Sequence, residues 1–263
     1  LQPHPELKSL TIRNYMGYEL PWWVVNMQVK RSFQLDNLME LRLINCKRLE
    51  ALPMLGQMPF LQYLELSGLA NVTRIGQSFY GANYLALLNR RNGIPQTTIT
   101  VFPALKRLKL DSMPNLIQWM EAQVRPPIEV FPCLEKLTIQ YCPRLSTMPY
   151  HFPAVKELKI PFLVHNSTPL ANICSSVTTL TELCLYGILE VTCLPNSLFS
   201  SNRNLEILCI SSCPNLTHVA PSFHHFGTAL RHSHINGCTR RVKLQTGRAS
   251  GGERVWTPVG PHI

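Results

Sequence analysis

The sequence has no apolar run long enough to cross a bilayer and no basic-then-apolar leader, so neither a membrane span nor a secretory signal is predicted. It also lacks a G-x-x-x-x-G-K-[ST] phosphate loop, a G-x-S-x-G nucleophile elbow and an H-E-x-x-H pair. Neither nucleotide chemistry nor hydrolysis is therefore expected of this segment, and no catalytic residue is assigned. Acidic residues are scarce, 15 against 25 Lys and Arg, which leaves a formal charge of +10. That balance raises nucleic acid as a partner. The bases are scattered among acids, however: Lys106, Arg107 and Lys109 stand beside Asp111, and Lys156 and Lys159 flank Glu157. No aromatics recur at base-stacking spacing, so no nucleic-acid partner is predicted, and a basic face meeting an acidic protein is preferred.

No C-x-x-C pair occurs, and the cysteine count is nine, an odd number that cannot all pair within one chain. Cys46, Cys142, Cys213 and Cys238 each lie eight residues after a leucine-type position, where cysteine serves as a small buried residue. Reduced thiols and an intracellular setting follow. His218, His224, His225, His232 and His234 cluster near Cys209, Cys213 and Cys238. Two of those cysteines occupy core positions, so no metal site is assigned.

What is present is a repeat. Leu38, Leu41, Leu43, Cys46, Leu49 and Leu52 are spaced 3, 2, 3, 3 and 3, and Leu61, Leu64, Leu66 and Leu69 restart the count. Neither a helical period nor strict alternation fits this spacing. One coil of a leucine-rich solenoid does, with the L-x-L pair on a short strand facing inward. Coils open at Leu7, Leu38, Leu61, Leu105, Leu134, Val155, Leu180, Leu205 and Leu230, at intervals of 31, 23, 44, 29, 21, 25, 25 and 25.

The predicted fold is an α/β repeat, a curved leucine-rich-repeat horseshoe with a parallel sheet on its concave face and mostly loops and short turns outside. About nine coils fill residues 1–238. An exposed insertion lies near 81–100, with a helical turn at Tyr84–Leu88 and a polar loop at Asn89–Gly93. Pro126 and Pro127 break a second, shorter insertion. Phe102–Pro103, Phe131–Pro132 and Phe152–Pro153 are expected to open strands, the Phe filling the core and the Pro sitting where no ladder donor is needed. The last coil decays at Ser233, and 239–263 is a non-repeat, flexible tail. Leu1 stands close to a repeat without a polar cap, so the chain reads as a fragment or an internal domain. The sequons at Asn71, Asn166 and Asn215 read as by-products of a turn that wants Asn, since Asn115 holds the same place without the Thr.

Three passages carry a resemblance. PELKSLTIRNYMGYELPWW contains Tyr15, Gly17, Pro21 and Trp23; LPMLGQMPFLQYLELSGLANVTRIGQSFYG ends on Ile75–Gly76 and Phe79–Gly81; FPALKRLKLDSMPNLIQW closes on Trp119. Together they resemble the C-terminal leucine-rich-repeat domain of plant coiled-coil nucleotide-binding immune receptors, over most of Pro5 to Trp119. The resemblance implies a non-enzymatic domain that senses pathogen effectors or guarded host proteins and restrains the receptor through contact with its nucleotide-binding region. ADP or ATP is then expected on a domain absent from this chain, and the location is cytoplasmic, with nuclear or membrane-peripheral placement as alternatives. Two other repeat classes compete: the substrate-recruiting domain of an F-box-type ubiquitin-ligase adaptor, and a secreted ectodomain. The Leu52–Pro53 and Leu194–Pro195 endings and irregular coil lengths speak against the adaptor, and the absence of G-x-I-P elements against the secreted class.

Residues flanking the two core anchors of each strand should form columns on the concave face. One column runs through Thr11, Arg42, Glu65, Lys109, Thr138, Lys159, Cys184, Cys209 and His234, and the next through Ser9, Glu40, Tyr63, Arg107, Lys136, Glu157, Glu182, Ile207 and His232. The partner-binding residues assigned from them are Arg42, Tyr63, Glu65, Arg107, Lys109, Lys136 and Lys159. Arg42, Tyr63 and Arg107 rank first as anchors.

Overall fold

The computed structural model describes residue 4 and residues 6–21, 24, 35, 37–81, 99–122, 128–161, 173, 176–189, 191–218 and 229–238. Thirteen strands occur in these residues: β1 Ser9–Arg13, β2 Glu40–Ile44, β3 Tyr63–Ser67, β4 Arg74–Ile75, β5 Ile99–Val101, β6 Arg107–Asp111, β7 Gln118–Trp119, β8 Ile128–Val130, β9 Lys136–Gln140, β10 Glu157–Pro161, β11 Glu182–Tyr186, β12 Ile207–Ser211 and β13 His232–Asn236. Nine of them form one sheet in the order β1-β2-β3-β6-β9-β10-β11-β12-β13, every neighbour parallel. Parallel neighbours require the chain to cross over between strands, and here each crossover is the remainder of one coil. The eight strands centred by sequence on L-x-L pairs, from Leu10–Ile12 to Leu208–Ile210, all lie where expected. The ninth forms as well, although Ser233 replaces a core leucine. Its backbone pairs with β12 regardless of that side chain, and Ile235 still packs on the core.

Alternation fixes which face is core. Leu41 and Leu43, Leu64 and Leu66, Leu108 and Leu110, and Leu137 and Ile139 are buried, and the same two positions continue through Leu208 and Ile210. The strands then turn at a shared point. Asn14, Asn45, Gly68, Ser112, Tyr141, Gly187, Ser212 and Gly237, each the residue after its strand, all have positive φ. Glycine and asparagine suit that left-handed bend, which explains their repeated use there. A second turn follows in which Leu49, Leu116, Leu145 and Leu216 donate their N–H to the carbonyls of Cys46, Met113, Cys142 and Cys213. Pro114, Pro143 and Pro214 occupy its second position, where a fixed φ is an advantage. The Asn115 side chain donates to the Ala70 carbonyl at 2.9 Å, and Asn215 to the Leu189 carbonyl at 2.6 Å. Asn115 and Asn215 thus stitch coils together, a structural use for the asparagine of one of the sequons, Asn215.

Behind the sheet, aromatic side chains close the core. Phe102 stacks on Phe131 at 5.0 Å between ring centres and Phe131 on Phe152 at 5.9 Å, while Tyr80 and Trp119 meet Phe131 edge to face and Phe79 packs tilted against Phe102. Phe therefore fills the core as expected, but the prolines after it do not open strands. Pro103 and Pro132 lie in turns closed by Leu105 N–H to Phe102 O and Leu134 N–H to Phe131 O, and the strands start four residues later. Phe102 and Phe131 themselves take positive φ, 55° and 57°, which aims each ring inward just before the turn.

The outer side is sparse in helix among the described residues, with α1 over Gln77–Tyr80 and α2 over Asn196–Ser201. Two small parallel pairs, β4 with β7 and β5 with β8, line that side. The expected helical turn at Tyr84–Leu88, the loop Asn89–Gly93, the Pro126–Pro127 break and the tail 239–263 fall outside the described residues. None of the helices in the described residues is long and apolar enough to cross a membrane.

Candidate functional site

In a parallel sheet with unshifted register, every second residue of each strand faces away from the core and stacks on its neighbours. The pairings Thr11↔Arg42, Arg42↔Glu65, Glu65↔Lys109, Lys109↔Thr138, Thr138↔Lys159, Lys159↔Cys184, Cys184↔Cys209 and Cys209↔His234 make the first predicted column continuous. The second column, from Ser9 through Tyr63 and Arg107 to His232, is continuous in the same way. A third stands behind the second anchor and includes Ser67, Asp111, Gln140 and Tyr186.

The charges on this face are largely consumed by one another. Arg42 donates from Nε to Glu40 at 2.8 Å and approaches Glu65 at 3.8 Å. Glu65, only 8% exposed, is the hub of that group, accepting from Lys109 at 3.0 Å and from the Tyr63 hydroxyl at 3.1 Å. Lys109 also reaches Asp111 at 3.0 Å. Further along the sheet Lys136 is paired with Glu157, and Lys159 with Glu182 at 2.7 Å. Burial works against the Lys109 charge, but its hydrogen bonds to Asp111 and Glu65 outweigh that and raise its pKa. The hydrogen bond from Arg42 holds the Glu40 carboxyl below its usual range, and the one from Lys159 does the same for Glu182.

The basic cluster expected from the sequence is therefore not a basic patch. Arg42, Arg107, Lys109, Lys136 and Lys159 share the face with Glu40, Glu65, Asp111, Glu157 and Glu182, and all but Arg107 are ion-paired. Four of those five carboxylates were absent from the residues assigned by sequence. The signal was available: Glu40 and Arg42, or Lys109 and Asp111, are two apart on one strand and so share a face.

Arg107 differs. It is exposed, and among the described residues it forms no ion pair. Its guanidinium lies over the Tyr63 ring, 4.8 Å from the centre, while Arg42 lies 5.0 Å from the same ring. Such cation–π contacts hold a guanidinium flat while leaving its N–H edge to solvent. Beside it a cleft of about 340 Å³ opens on the sheet face, lined by Tyr63, Arg107, Lys109, Lys136, Thr138 and Glu157, with Glu135 at the edge.

Cys184 and Cys209 stand side by side in the middle column, as the register predicted, and every described cysteine is a free thiol. Burial pushes Cys184 up to about 12, helped by Cys209 and Glu182. No group of three metal-ligating side chains comes together among the described residues.

Residues 1–69 match the family model described as R13L1/DRL21 leucine-rich repeats. The chain is 31% identical over 225 residues to disease resistance protein RGA1 of Solanum bulbocastanum, covering 84% of this chain and 20% of that protein. It is 31% identical over 209 residues to RGA4 of the same species, covering 78% and 18%. Against disease resistance RPP13-like protein 1 of Arabidopsis thaliana it is 31% identical over 161 residues, covering 61% and 14%. The chain thus spans a fifth or less of the length of these relatives. No solved structure matches it significantly. The coil register and the parallel sheet make the chain a leucine-rich-repeat solenoid, and these matches make it similar to plant disease-resistance proteins.

Proposed function

We propose that residues 1–238 act as the protein-recognition and autoinhibitory part of an intracellular plant immune receptor, and that the sheet face is where recognition occurs. The partner is a pathogen effector or a guarded host protein. In the resting receptor the same solenoid contacts the nucleotide-binding region, which carries the ADP or ATP, and the receptor works in the cytoplasm without catalysis by the repeats. The observation that carries this reading is the set of columns on the sheet. Their side chains face away from the core, so the fold leaves their chemistry free to serve a partner. Of the assigned residues, Arg42, Glu65, Lys109, Lys136 and Lys159 shape and orient the face through their ion pairs, while Arg107 and Tyr63 are the anchors.

The test expresses a full-length resistance protein carrying this segment in leaf cells with Arg107→Glu and Lys109→Glu. Constitutive cell death, or loss of the pathogen response at normal abundance, is expected. Unchanged behaviour in both assays at normal abundance removes this face from recognition.

A further inference from the structure

The cleft beside Arg107 has a particular charge state. Lys109 is held by Glu65 and Asp111, Lys136 by Glu157, and the Glu135 carboxylate at the edge by Lys156 at 3.0 Å. Each charged group of the lining except Arg107 has its counterion within the protein. The Arg107 charge is the one in the lining without an ion-pair contact among the described residues. It is carried by a planar fork of donors whose face rests on Tyr63 and whose register neighbours are that ring and Lys136. Thr138, 8% exposed, adds a hydroxyl to the lining.

From this we infer that the cleft takes one carboxylate side chain of a protein partner, a glutamate or aspartate, received edge-on by the Arg107 guanidinium. The inference rests on the sheet face being the recognition surface and specifies its chemistry. Arginine pairs with carboxylates through two parallel N–H donors, and a stacked guanidinium is already oriented for that geometry. A single guanidinium without an ion-pair contact suits a monoanion. A phosphate near neutral pH carries close to two charges, and the second would face Glu157 and Glu135 without a free cation to answer it. The cleft also has room for a side chain and its flanking backbone rather than for a peptide strand along the sheet. An extended acidic tract is disfavoured for the same reason, because the neighbouring cations are occupied.

The probe is the peptide N-acetyl-Gly-Glu-Gly-amide, with its glutamine and phosphoserine counterparts, titrated into the 15N-labelled 263-residue chain by NMR. The glutamate peptide should shift the Arg107 Nε–H signal saturably at millimolar concentration, and the glutamine peptide should bind about tenfold or more weakly, as expected for losing a charge-assisted pair. The phosphoserine peptide should bind no tighter than the glutamate one. Arg107→Gln should weaken glutamate binding by about tenfold, and Lys47→Gln, at an exposed position outside the cleft, should leave it intact. Equal binding of glutamine and glutamate peptides, tenfold tighter binding of phosphoserine, or indifference to Arg107→Gln in a folded variant each overturns the assignment. The two readings fail separately. A receptor that responds to Arg107→Glu while the glutamate peptide leaves Arg107 unmoved keeps the recognition face and loses the carboxylate site. Peptide binding as expected in a receptor indifferent to that substitution removes the protein partner from this cleft.

Discussion

The Trp119 indole N–H donates to the Tyr80 hydroxyl at 2.8 Å, and that hydroxyl donates in turn to the Met120 carbonyl at 2.7 Å. Both side chains are buried, so the hydroxyl satisfies a polar indole edge placed inside an aromatic wall. Tyr80→Phe removes the acceptor and the donor together while keeping the ring. We expect a loss of about 1–3 kcal/mol in urea unfolding, because the buried indole N–H loses its acceptor and the Met120 carbonyl its donor. Tryptophan fluorescence should report the change at Trp119 directly.

Asn202 and Lys136 make opposite predictions from superficially similar polar contacts. Asn202, 2% exposed, accepts from Leu180 N–H at 2.9 Å and donates to the Val177 and Leu198 carbonyls, each at 2.8 Å. Asn202→Ala takes the partner from the Leu180 N–H and the Val177 carbonyl, while the Leu198 carbonyl keeps the N–H of residue 202, and should cost about 2–4 kcal/mol. Lys136 pairs with Glu157 on an accessible face, and Lys136→Ala should cost less than about 1 kcal/mol. Equilibrium denaturation of both variants at one salt concentration compares them. Equal losses would contradict the assignment.

Burial pushes the Cys142 thiol from its ordinary 9.0 up to about 12. A raised folded-state pKa means the contribution is full below about pH 9 and is lost as pH rises towards about 12, since the unfolded chain ionises first. Native protein should therefore resist thiol alkylation at Cys142 at pH 8 while exposed Cys133 reacts, and stability should fall on the alkaline side. Cys142→Asp should cost several kcal/mol, because a charge at that position has no partner. Mass-spectrometric mapping of labelled thiols checks the first part, and denaturation between pH 8 and 11 the second.

Acid acts on the other face of the sheet. Glu40 and Glu182 have depressed pKa values, through hydrogen bonds from Arg42 and Lys159 respectively. Their contribution is present above the ordinary carboxylate range and disappears as pH falls through the depressed values. Both side chains are partly accessible, so each pair is worth less than about 1 kcal/mol. Glu182→Gln should flatten the acid limb of stability against pH, visible as a smaller decline in urea midpoint on acidification.

Ser212 has a φ of 56° at the position where Asn14 and Asn45 serve in other coils. Asparagine tolerates the left-handed region better than serine. Ser212→Asn should therefore raise stability by a few tenths to about 1 kcal/mol, measured as a higher urea midpoint at unchanged slope.

The strands were legible because two leucine-type anchors with one residue between them permit only one face to be core, and a whole coil repeats the choice. Leu64–Leu66 and Leu208–Ile210 needed nothing more. Column membership followed once the strands were placed, because parallel pairing without slippage makes the order on the face a matter of counting. The outer side was less legible. β4 and β7 are two residues each, too short for any periodicity, and pair only because the coils stack. The Phe–Pro steps misled for a related reason: proline suits both a strand start and the second place of a turn, and the left-handed Phe102 and Phe131 select the turn. Pairing on the face was least legible. Lys159 meets Glu182 diagonally, one strand away, which depends on side-chain reach rather than on sequence interval.

The left-handed bend shared by eight of the nine strands of the large sheet has a further consequence. Because the coils leave the sheet at the same point and enter it in step, a strand's three face positions are independent of how long its outer loop is. The interval of 44 residues between the coils at Leu61 and Leu105 puts Lys109 opposite Glu65 as squarely as the interval of 25 puts Cys209 opposite Cys184. Insertions and deletions outside the sheet leave the written face unaltered, while swapping a single coil rewrites one row of it. Such a surface can be edited line by line.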